Sequence, residues 1–338
     1  MNTEKSLKTI LSNSRSFIMT VAIIWIGLFH FPIDINIPGL HFIKSIGYGG
    51  VDLFIFLSGF GLYHSLQGLT SKDGIDIGLF IKKRALRLLP SYLPFLVLWI
   101  ISKRLFDQMY VTEIFGNITM TGWWNGDQNQ FNWYIDLLVL LYLLSPYIFL
   151  TIYKSKKPLV SYVFLMMLSF FIGISFFHGQ LIQAMSRLPI FVTGMLFADL
   201  NSPHHNSSNS WIYRFLNSEF FWYILSLLGF VGMYICLHQS YLDLWHYGLY
   251  WYPFLFITPG LSLALGRLGS ILPHFFGGLG RASFEIFLWH IGIYEFLLYR
   301  TNRNPILWIT IFVVAFAVGY GYYRLVSFLT NKYLKKTA

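Results

Sequence analysis

Residues 47–60 read GYGGVDLFIFLSGF, a hydrophobic run that also carries a carboxylate, a hydroxyl and four glycines. The run lies within an apolar segment long enough to cross a bilayer as a helix. A charge near the membrane centre costs roughly 2.5–3.5 kcal/mol even on the scale from insertion experiments, so Asp52 has to face protein rather than lipid. Small residues let neighbouring helices approach closely. We therefore expect this segment to lie inside a helical bundle, where Asp52 has a partner.

The composition of the chain excludes an ordinary soluble enzyme. Its 338 residues are 56% hydrophobic and 11% charged, and the mean hydropathy is +0.57. The formal net charge is +10, but the basic residues lie between apolar segments, which favours contact with anionic lipid over contact with nucleic acid. Cys236 is the only cysteine, so a disulfide within the chain and a cysteine-based metal cluster are excluded. No metal site is expected.

The apolar runs predict an all-α fold, a polytopic membrane bundle of about ten transmembrane helices with both termini in the cytoplasm. The runs fall at about 17–33, 48–66, 88–105, 132–153, 159–177, 185–200, 220–238, 247–265, 283–299 and 305–329. The whole chain, 1–338, is predicted to be one membrane domain with cytoplasmic tails at about 1–16 and 330–338. No small-residue cleavage site follows the basic N-terminus, so the first run is expected to be a retained helix.

The basic residues agree with this topology. With the N-terminus in the cytoplasm, about 18 of the 24 Lys and Arg residues fall on the cytoplasmic side, as the positive-inside rule expects. Lys103 and Arg104 are exceptions, because they fall at the predicted outer face. The pattern predicts a multi-pass protein of the cell membrane.

His30 ends the first apolar run, and its predicted depth in the membrane matches that of Asp52. The first helix runs outward and the second runs inward, so both residues fall in the outer half. A carboxylate that orients one imidazole nitrogen leaves the other free as a general base, which contributes about 10²–10⁴ in rate. We expect His30 and Asp52 to be catalytic. The alternative is an interfacial histidine bonded to a carbonyl.

A basic segment, KKRALRLLP at 82–90, precedes the third predicted span on the cytoplasmic side. Arg84 and Arg87 are three residues apart, so on a helix they share a face. Two guanidinium groups on one face form a clamp that suits phosphate. The alternative is a cluster that sets topology and contacts lipid headgroups.

The ninth predicted span contains three ionisable residues, Glu285, His290 and Glu295. Their cost in lipid predicts that they line a cavity or pair with other helices. In the sixth run Arg187 stands at the outer side, and in the fourth Trp133 and Asp136 lie one turn apart near the outer face. These residues are candidates for binding or supporting a substrate, although Trp133 also fits an aromatic belt at the membrane interface.

Four stretches together resemble acyltransferase family 3, integral membrane proteins that O-acylate cell-surface carbohydrates. They are His30 in the first helix, GVDLFIFLSG at 50–59, Arg84 and Arg87 followed by Leu-Leu-Pro, and SFEIFLWH at 283–290. The order of these stretches matches the family across about 17–300. Each motif alone is short, and their succession on a ten-helix layout carries the resemblance.

The resemblance implies that the protein transfers an acyl group, usually acetyl, from cytoplasmic acetyl-CoA to a hydroxyl of a cell-envelope glycan or lipid-linked sugar. It implies that His30 is catalytic, that Arg84 and Arg87 hold the CoA phosphates, and that Ser58 and Gly59 line the acyl path. The expected partners are acyl-CoA, a glycan acceptor and the lipid bilayer of the bacterial cytoplasmic membrane. The oligomeric state is left open.

One position departs from the family pattern. Relatives usually carry an arginine about eleven residues before the histidine, where this chain has Met19, with Arg15 one turn earlier. Either Arg15 substitutes from a shifted position or the donor contact there is lost. The alternative to an enzyme is a transporter or flippase for lipid-linked saccharides, which would use the same buried charges as a translocation path.

Overall fold

The computed structural model describes residues 6–34, 37–72, 74–106, 109–127, 131, 133–176, 180–200, 211–238, 252–271, 277–298, 300–302 and 304–337. Within these ranges the helices are α1 (Leu7–His30), α2 (Pro38–Ser45), α3 (Gly49–Gln67), α4 (Ile77–Phe106), α5 (Val111–Thr119), α6 (Gly122–Asn125), α7 (Trp133–Tyr153), α8 (Pro158–Phe176), α9 (Gln180–Met185), α10 (Leu188–Asp199), α11 (Trp211–Leu216), α12 (Glu219–His238), α13 (Pro253–Gly269), α14 (Gly277–Arg281), α15 (Ser283–Leu298) and α16 (Pro305–Thr337). Two short antiparallel strands, β1 (Thr70–Ser71) and β2 (Gly74–Ile75), join α3 to α4. The predicted all-α class is confirmed.

The ends of α1 follow from the local sequence. Ser6 caps the N-terminus, where its hydroxyl oxygen accepts the backbone N–H of Thr9 at 3.3 Å. At the other end Phe31 is extended, with φ −66° and ψ 121°, because the following Pro32 disfavours helical backbone in the residue before it. The helix therefore stops at His30, and its last side chain lies at the end of the bundle.

Helix α3 is the centre of the bundle, and it packs against α1, α7, α10 and α13. Almost all of its residues from Gly49 to Phe60 are buried. A Cβ on Gly59 would collide with the backbone carbonyl of Phe191, and a Cβ on Gly194 would collide with that of Phe56. The two glycines therefore bring the backbones of α3 and α10 into direct contact, as small residues do between membrane helices.

Five helices in the described ranges are long and apolar enough to cross a membrane, or six if α2 and α3, which are bent by 48°, form one span. They are α1, α4, α7, α12 and α16. Helix α13 and the Pro158–Ile172 part of α8 are apolar but shorter. The ten spans and the cytoplasmic termini stay predictions, and residues 247–251 of the predicted span 247–265 lie outside the described residues.

Helix α4 differs from its prediction because it begins well before residue 88. It continues through Pro90 and Pro94, so the basic segment and the apolar span form one helix of 30 residues. Its outward side is apolar: the side chains of Val97 and Leu105 are 55% and 72% exposed. Such a surface is costly in water and matches a lipid environment.

Candidate active site

Three arginines from two helices line one cavity of about 200 Å³, here called the arginine cavity. They are Arg15 on α1 and the pair Arg84 and Arg87 on α4, which share a face as their spacing predicts. Ser58 of α3 also lines this cavity, and its place on an acyl path stays a prediction. The basic segment and the glycine-rich helix therefore meet around one space.

The arginine cavity adjoins a second cavity of about 460 Å³, here called the vestibule. The two share Arg15, Arg84 and Arg87 in their walls. Arg281 and Ser12 also line the vestibule, and both are exposed at the surface. A ligand entering from this end of the bundle would meet the guanidinium groups first, which is an arrangement that concentrates anions.

Arg15 lies one helical turn before Met19, the position where the family pattern has an arginine. Its guanidinium lies against Gly61, where an added Cβ would be 2.8 Å from Nη1. The Nε atoms of Arg15 and Arg84 are buried without a hydrogen-bond partner among the described residues, while Arg84 Nη2 lies 3.4 Å from the hydroxyl of Ser65. Buried donors without acceptors are costly unless a ligand supplies the acceptor. Met19 also lines both cavities, so Arg15 reaches the same space from one turn away.

Gly59 has a different role from the one that the resemblance implies. The residues that line the arginine cavity include Ser58 and Gly61 but not Gly59. Consecutive helical residues point about 100° apart, so Gly59 turns toward α10. The prediction that Gly59 lines the acyl path is therefore corrected to a packing role in the contact between α3 and α10.

His30 and His290 form a pair at the far end of α1. His30 Nδ1 lies 3.3 Å from His290 Nε2, and His290 Nδ1 lies 3.0 Å from the carbonyl oxygen of Ile286. His290 is completely buried, whereas His30 is exposed. The pair thus has one enclosed imidazole and one accessible imidazole.

The hydrogen bonds assign the proton positions of the neutral pair. A carbonyl oxygen only accepts, so Nδ1 of His290 donates to Ile286 and its Nε2 carries the lone pair. Nδ1 of His30 must then donate to that lone pair. The remaining nitrogen of His30, Nε2, is left unprotonated, and this is the form that a general base requires.

Asp52 pairs with Arg187 rather than with His30. Its Oδ1 lies 3.1 Å from Arg187 Nε, and both side chains are fully buried. Arg187 Nη1 also donates to the carbonyl of Gln183 at 2.6 Å. The predicted pairing of Asp52 with His30 is therefore corrected: the carboxylate neutralises a buried guanidinium, and His290 takes the position beside His30.

Trp133 and Asp136 support the structure around this ion pair. The guanidinium of Arg187 lies 5.1 Å from the centre of the Trp133 ring, within cation–π range. The carboxylate of Asp136 accepts the backbone N–H of Trp123 at 2.8 Å. Trp133 thus packs on Arg187, and Asp136 holds the short α6 helix against α7.

The two glutamates of α15 form hydrogen bonds with side chains of α4, away from His290. Glu285 accepts the hydroxyl of Ser91 at 2.6 Å, and Glu295 accepts the Trp99 N–H at 3.1 Å. Glu295 also forms an ion pair with Lys103 at 2.6 Å. This ion pair gives a physical reason for a lysine at the predicted outer face.

One aromatic side chain lies between the arginine cavity and the histidine pair. Phe287 lines the cavity, and its ring centre is 5.6 Å from that of His290 in an edge-on arrangement. Arg15 and His30 are separated by about 22 Å along α1 at the helical rise of about 1.5 Å per residue. The bundle therefore holds a basic end and a histidine end, with Phe287 between them.

A comparison with models of known protein families identifies the family of this chain. A family model described as an acyltransferase domain matches residues 18–324. The chain belongs to acyltransferase family 3. No curated protein and no solved structure matches it. Membership supports acyltransferase activity at a membrane, and the match includes His30, both α4 arginines and His290, while Arg15 lies just before it.

Proposed function

We propose that this protein is an O-acyltransferase that moves acetyl from acetyl-CoA to a hydroxyl of a cell-envelope polysaccharide or lipid-linked sugar in the bacterial cytoplasmic membrane. The observation that carries the proposal is the arginine cavity, whose wall at Phe287 contacts the histidine pair. A donor with several phosphates and a long arm fits this layout. The phosphates bind at the guanidinium groups, and the arm points toward the histidines.

The donor end is built from Arg15, Arg84 and Arg87. CoA carries a pyrophosphate and a further phosphate, and guanidinium groups bind such oxygens with paired hydrogen bonds. The buried Nε atoms of Arg15 and Arg84 await acceptors of this kind. Ser58 lies farther along the cavity wall, where its hydroxyl contacts the arm of the donor.

The transfer itself takes place at His30. Nε2 of His30 removes the proton of the acceptor hydroxyl while the hydroxyl oxygen forms a bond to the thioester carbonyl carbon. The carbon–sulfur bond then breaks, and the leaving CoA thiolate takes the proton from His30. The products are an acetyl ester and CoA with a free thiol, so the imidazole returns to its starting form.

His290 acts as a positioning residue in this step. Because its Nδ1 is fixed on the Ile286 carbonyl, its Nε2 holds His30 in the tautomer whose free nitrogen faces outward. When His30 gains a proton, the same acceptor stabilises the imidazolium through the Nδ1–H bond. The buried histidine thus orients His30 and stabilises its protonated form, as a carboxylate does in other catalytic pairs.

The test is mass analysis of envelope glycans from cells with the wild-type gene, with His30→Ala and without the gene. We expect an added acetyl group only with the wild-type protein, and a loss of about 10²–10⁴ in rate for His30→Ala. Membrane insertion of the variant is checked by its level in purified membranes. Normal acetylation by His30→Ala would remove the catalytic assignment.

A flippase for lipid-linked saccharides gives a different result in a second measurement. Purified protein in lipid nanodiscs is incubated with acetyl-CoA and extracted envelope glycan, and released CoA thiol is followed. We expect thiol release that depends on the glycan. Translocation of lipid-linked sugar without consumption of acetyl-CoA would support the flippase instead.

A further inference from the structure

Three aromatic rings form a connected group in the wall of the arginine cavity, and one of them, Phe287, contacts the histidine pair. Phe54, Tyr134 and Phe287 all line the cavity, and their side chains are 3%, 6% and 2% exposed. The ring centres of Phe54 and Tyr134 are 6.4 Å apart, and those of Tyr134 and Phe287 are 5.0 Å apart. They come from α3, α7 and α15, so three helices meet in one aromatic layer.

His290 lies beside Phe287, on the other side of that ring from the cavity. Phe287 and His290 are three residues apart on α15 and share a face, and their rings are in edge contact at 5.6 Å between centres. His290 is fully buried and is not among the residues that line the cavity. An acyl group held near Ser58 therefore has to pass Phe287 before it comes within reach of His30.

We propose that Phe54, Tyr134 and Phe287 form an aromatic gate that limits the length of the acyl group which the enzyme transfers. The inference rests on the proposed function and names the part of the fold that selects the donor. A cavity of about 150 Å³ accommodates one benzene molecule. A cavity of about 200 Å³ therefore has room for the tip of the donor arm with a short acyl group.

The gate also has a chemical reason to be aromatic. When the gate is closed, the flat rings fill the space between the three helices. Rotation of the rings about their side-chain bonds opens a narrow slot. A closed apolar layer keeps water at the exposed His30 from reaching the thioester until an acceptor is present. Each additional methylene has to pass the same slot, so acceptance falls as the acyl group lengthens.

The decisive variant is Phe287→Ala, assayed in nanodiscs with acetyl-, butyryl-, hexanoyl- and octanoyl-CoA. For the wild type we expect rates that fall far more than about tenfold from acetyl to hexanoyl, since the acyl group gains four methylenes and a single one in a close-fitting pocket changes kcat/KM by about 10–200-fold. For Phe287→Ala we expect the hexanoyl-to-acetyl ratio to rise about tenfold. Phe287→Leu keeps more of the packing and is expected to shift the ratio in the same direction by less.

The matched control is Phe296→Ala, which removes the same side chain from the same helix but lies outside the walls of the arginine cavity and the vestibule. We expect this variant to keep the wild-type order of acyl-CoA preference. Equal changes for every acyl-CoA in Phe287→Ala and Phe287→Leu would overturn the gate, while acetyl transfer by the wild type would still support the proposed function.

A binding measurement separates the two proposals further. Affinity of each acyl-CoA is measured by calorimetry with His30→Ala and without the glycan acceptor, so that no transfer occurs. We expect binding that weakens with acyl length, and a smaller length dependence when Phe287→Ala is added. Binding without length dependence would overturn the gate alone. No binding of any acyl-CoA would overturn the proposed function and, with it, the gate.

Discussion

Asp52 on α3 and Arg187 at the start of α10 are 135 residues apart in the chain, and they form an ion pair in which both side chains are fully buried. Trp133 covers the guanidinium from a third helix. Two charges placed here cost desolvation energy, and each is tolerated only because the other is present. The pair therefore fixes how α3, α7 and α10 fit together beside the histidine end.

Removal of one partner leaves the other as an unpaired buried charge. We expect Asp52→Leu or Arg187→Leu to lower the free energy of unfolding by about 3–5 kcal/mol, and the double variant to lose much less. Unfolding is followed by titration with SDS in mixed micelles. A double variant as unstable as the sum of the two single variants would contradict the coupling.

The same variants decide whether Asp52 is catalytic or structural. If Asp52 has only a structural role, the double variant Asp52→Leu, Arg187→Leu is expected to retain most of the acetyl transfer per folded molecule. A catalytic carboxylate predicts a loss similar to that of His30→Ala, about 10²–10⁴. Activity is normalised to the folded fraction so that stability and chemistry are read separately.

His290 supports His30 only if it offers an acceptor at Nε2. We expect His290→Leu to lower kcat for acetyl transfer by about 10²-fold or more while KM for acetyl-CoA stays near its wild-type value, because the donor phosphates bind at the other end. His290→Gln places an amide oxygen near the position of Nε2 and is expected to restore part of kcat. Equal losses in both variants would assign His290 a packing role alone.

The sequence predicted the all-α class and several helix starts, although α1 and α4 begin well before their predicted runs. It predicted the contacts between helices less well. Run length and polarity placed α3, α15 and α16 within a few residues of their observed starts. Local spacing also placed Arg84 and Arg87 on one face. These features depend on residues within one or two helical turns of each other, and that spacing can be read from the sequence.

The partners of His30 and Asp52 depend on how distant helices pack, and predicted depth in the membrane did not distinguish them. His30 meets His290, 260 residues away, although Asp52 is at a similar predicted depth. One local signal did exist for Arg15: it precedes Met19 by four residues, so both side chains lie on the same face of α1 and reach the arginine cavity.

Each of the three arginines that line the arginine cavity is expected to contribute separately to the binding of the donor. Arg15→Ala, Arg84→Ala and Arg87→Ala are each expected to raise KM for acetyl-CoA about tenfold or more, because a hydrogen bond to a charged group contributes about 1.5–3 kcal/mol. The exposed Lys82 and Lys83 on the same helix supply the control. Their alanine variants remove equal charge without touching the cavity, so KM is expected to stay close to wild type.

Direct contact between the backbones of α3 and α10 leaves no room for a side chain at Gly59 or Gly194. Gly59→Ala and Gly194→Ala are each expected to lower the free energy of unfolding by about 1–3 kcal/mol, since an added methyl group forces packed helices apart. Gly321→Ala on α16 is the matched control, because nothing lies within 4 Å of an added Cβ there and alanine favours the helix by up to about 1 kcal/mol. If SDS titration gave the same change for all three variants, helix propensity would account for the change and a packing role of Gly59 and Gly194 would be contradicted.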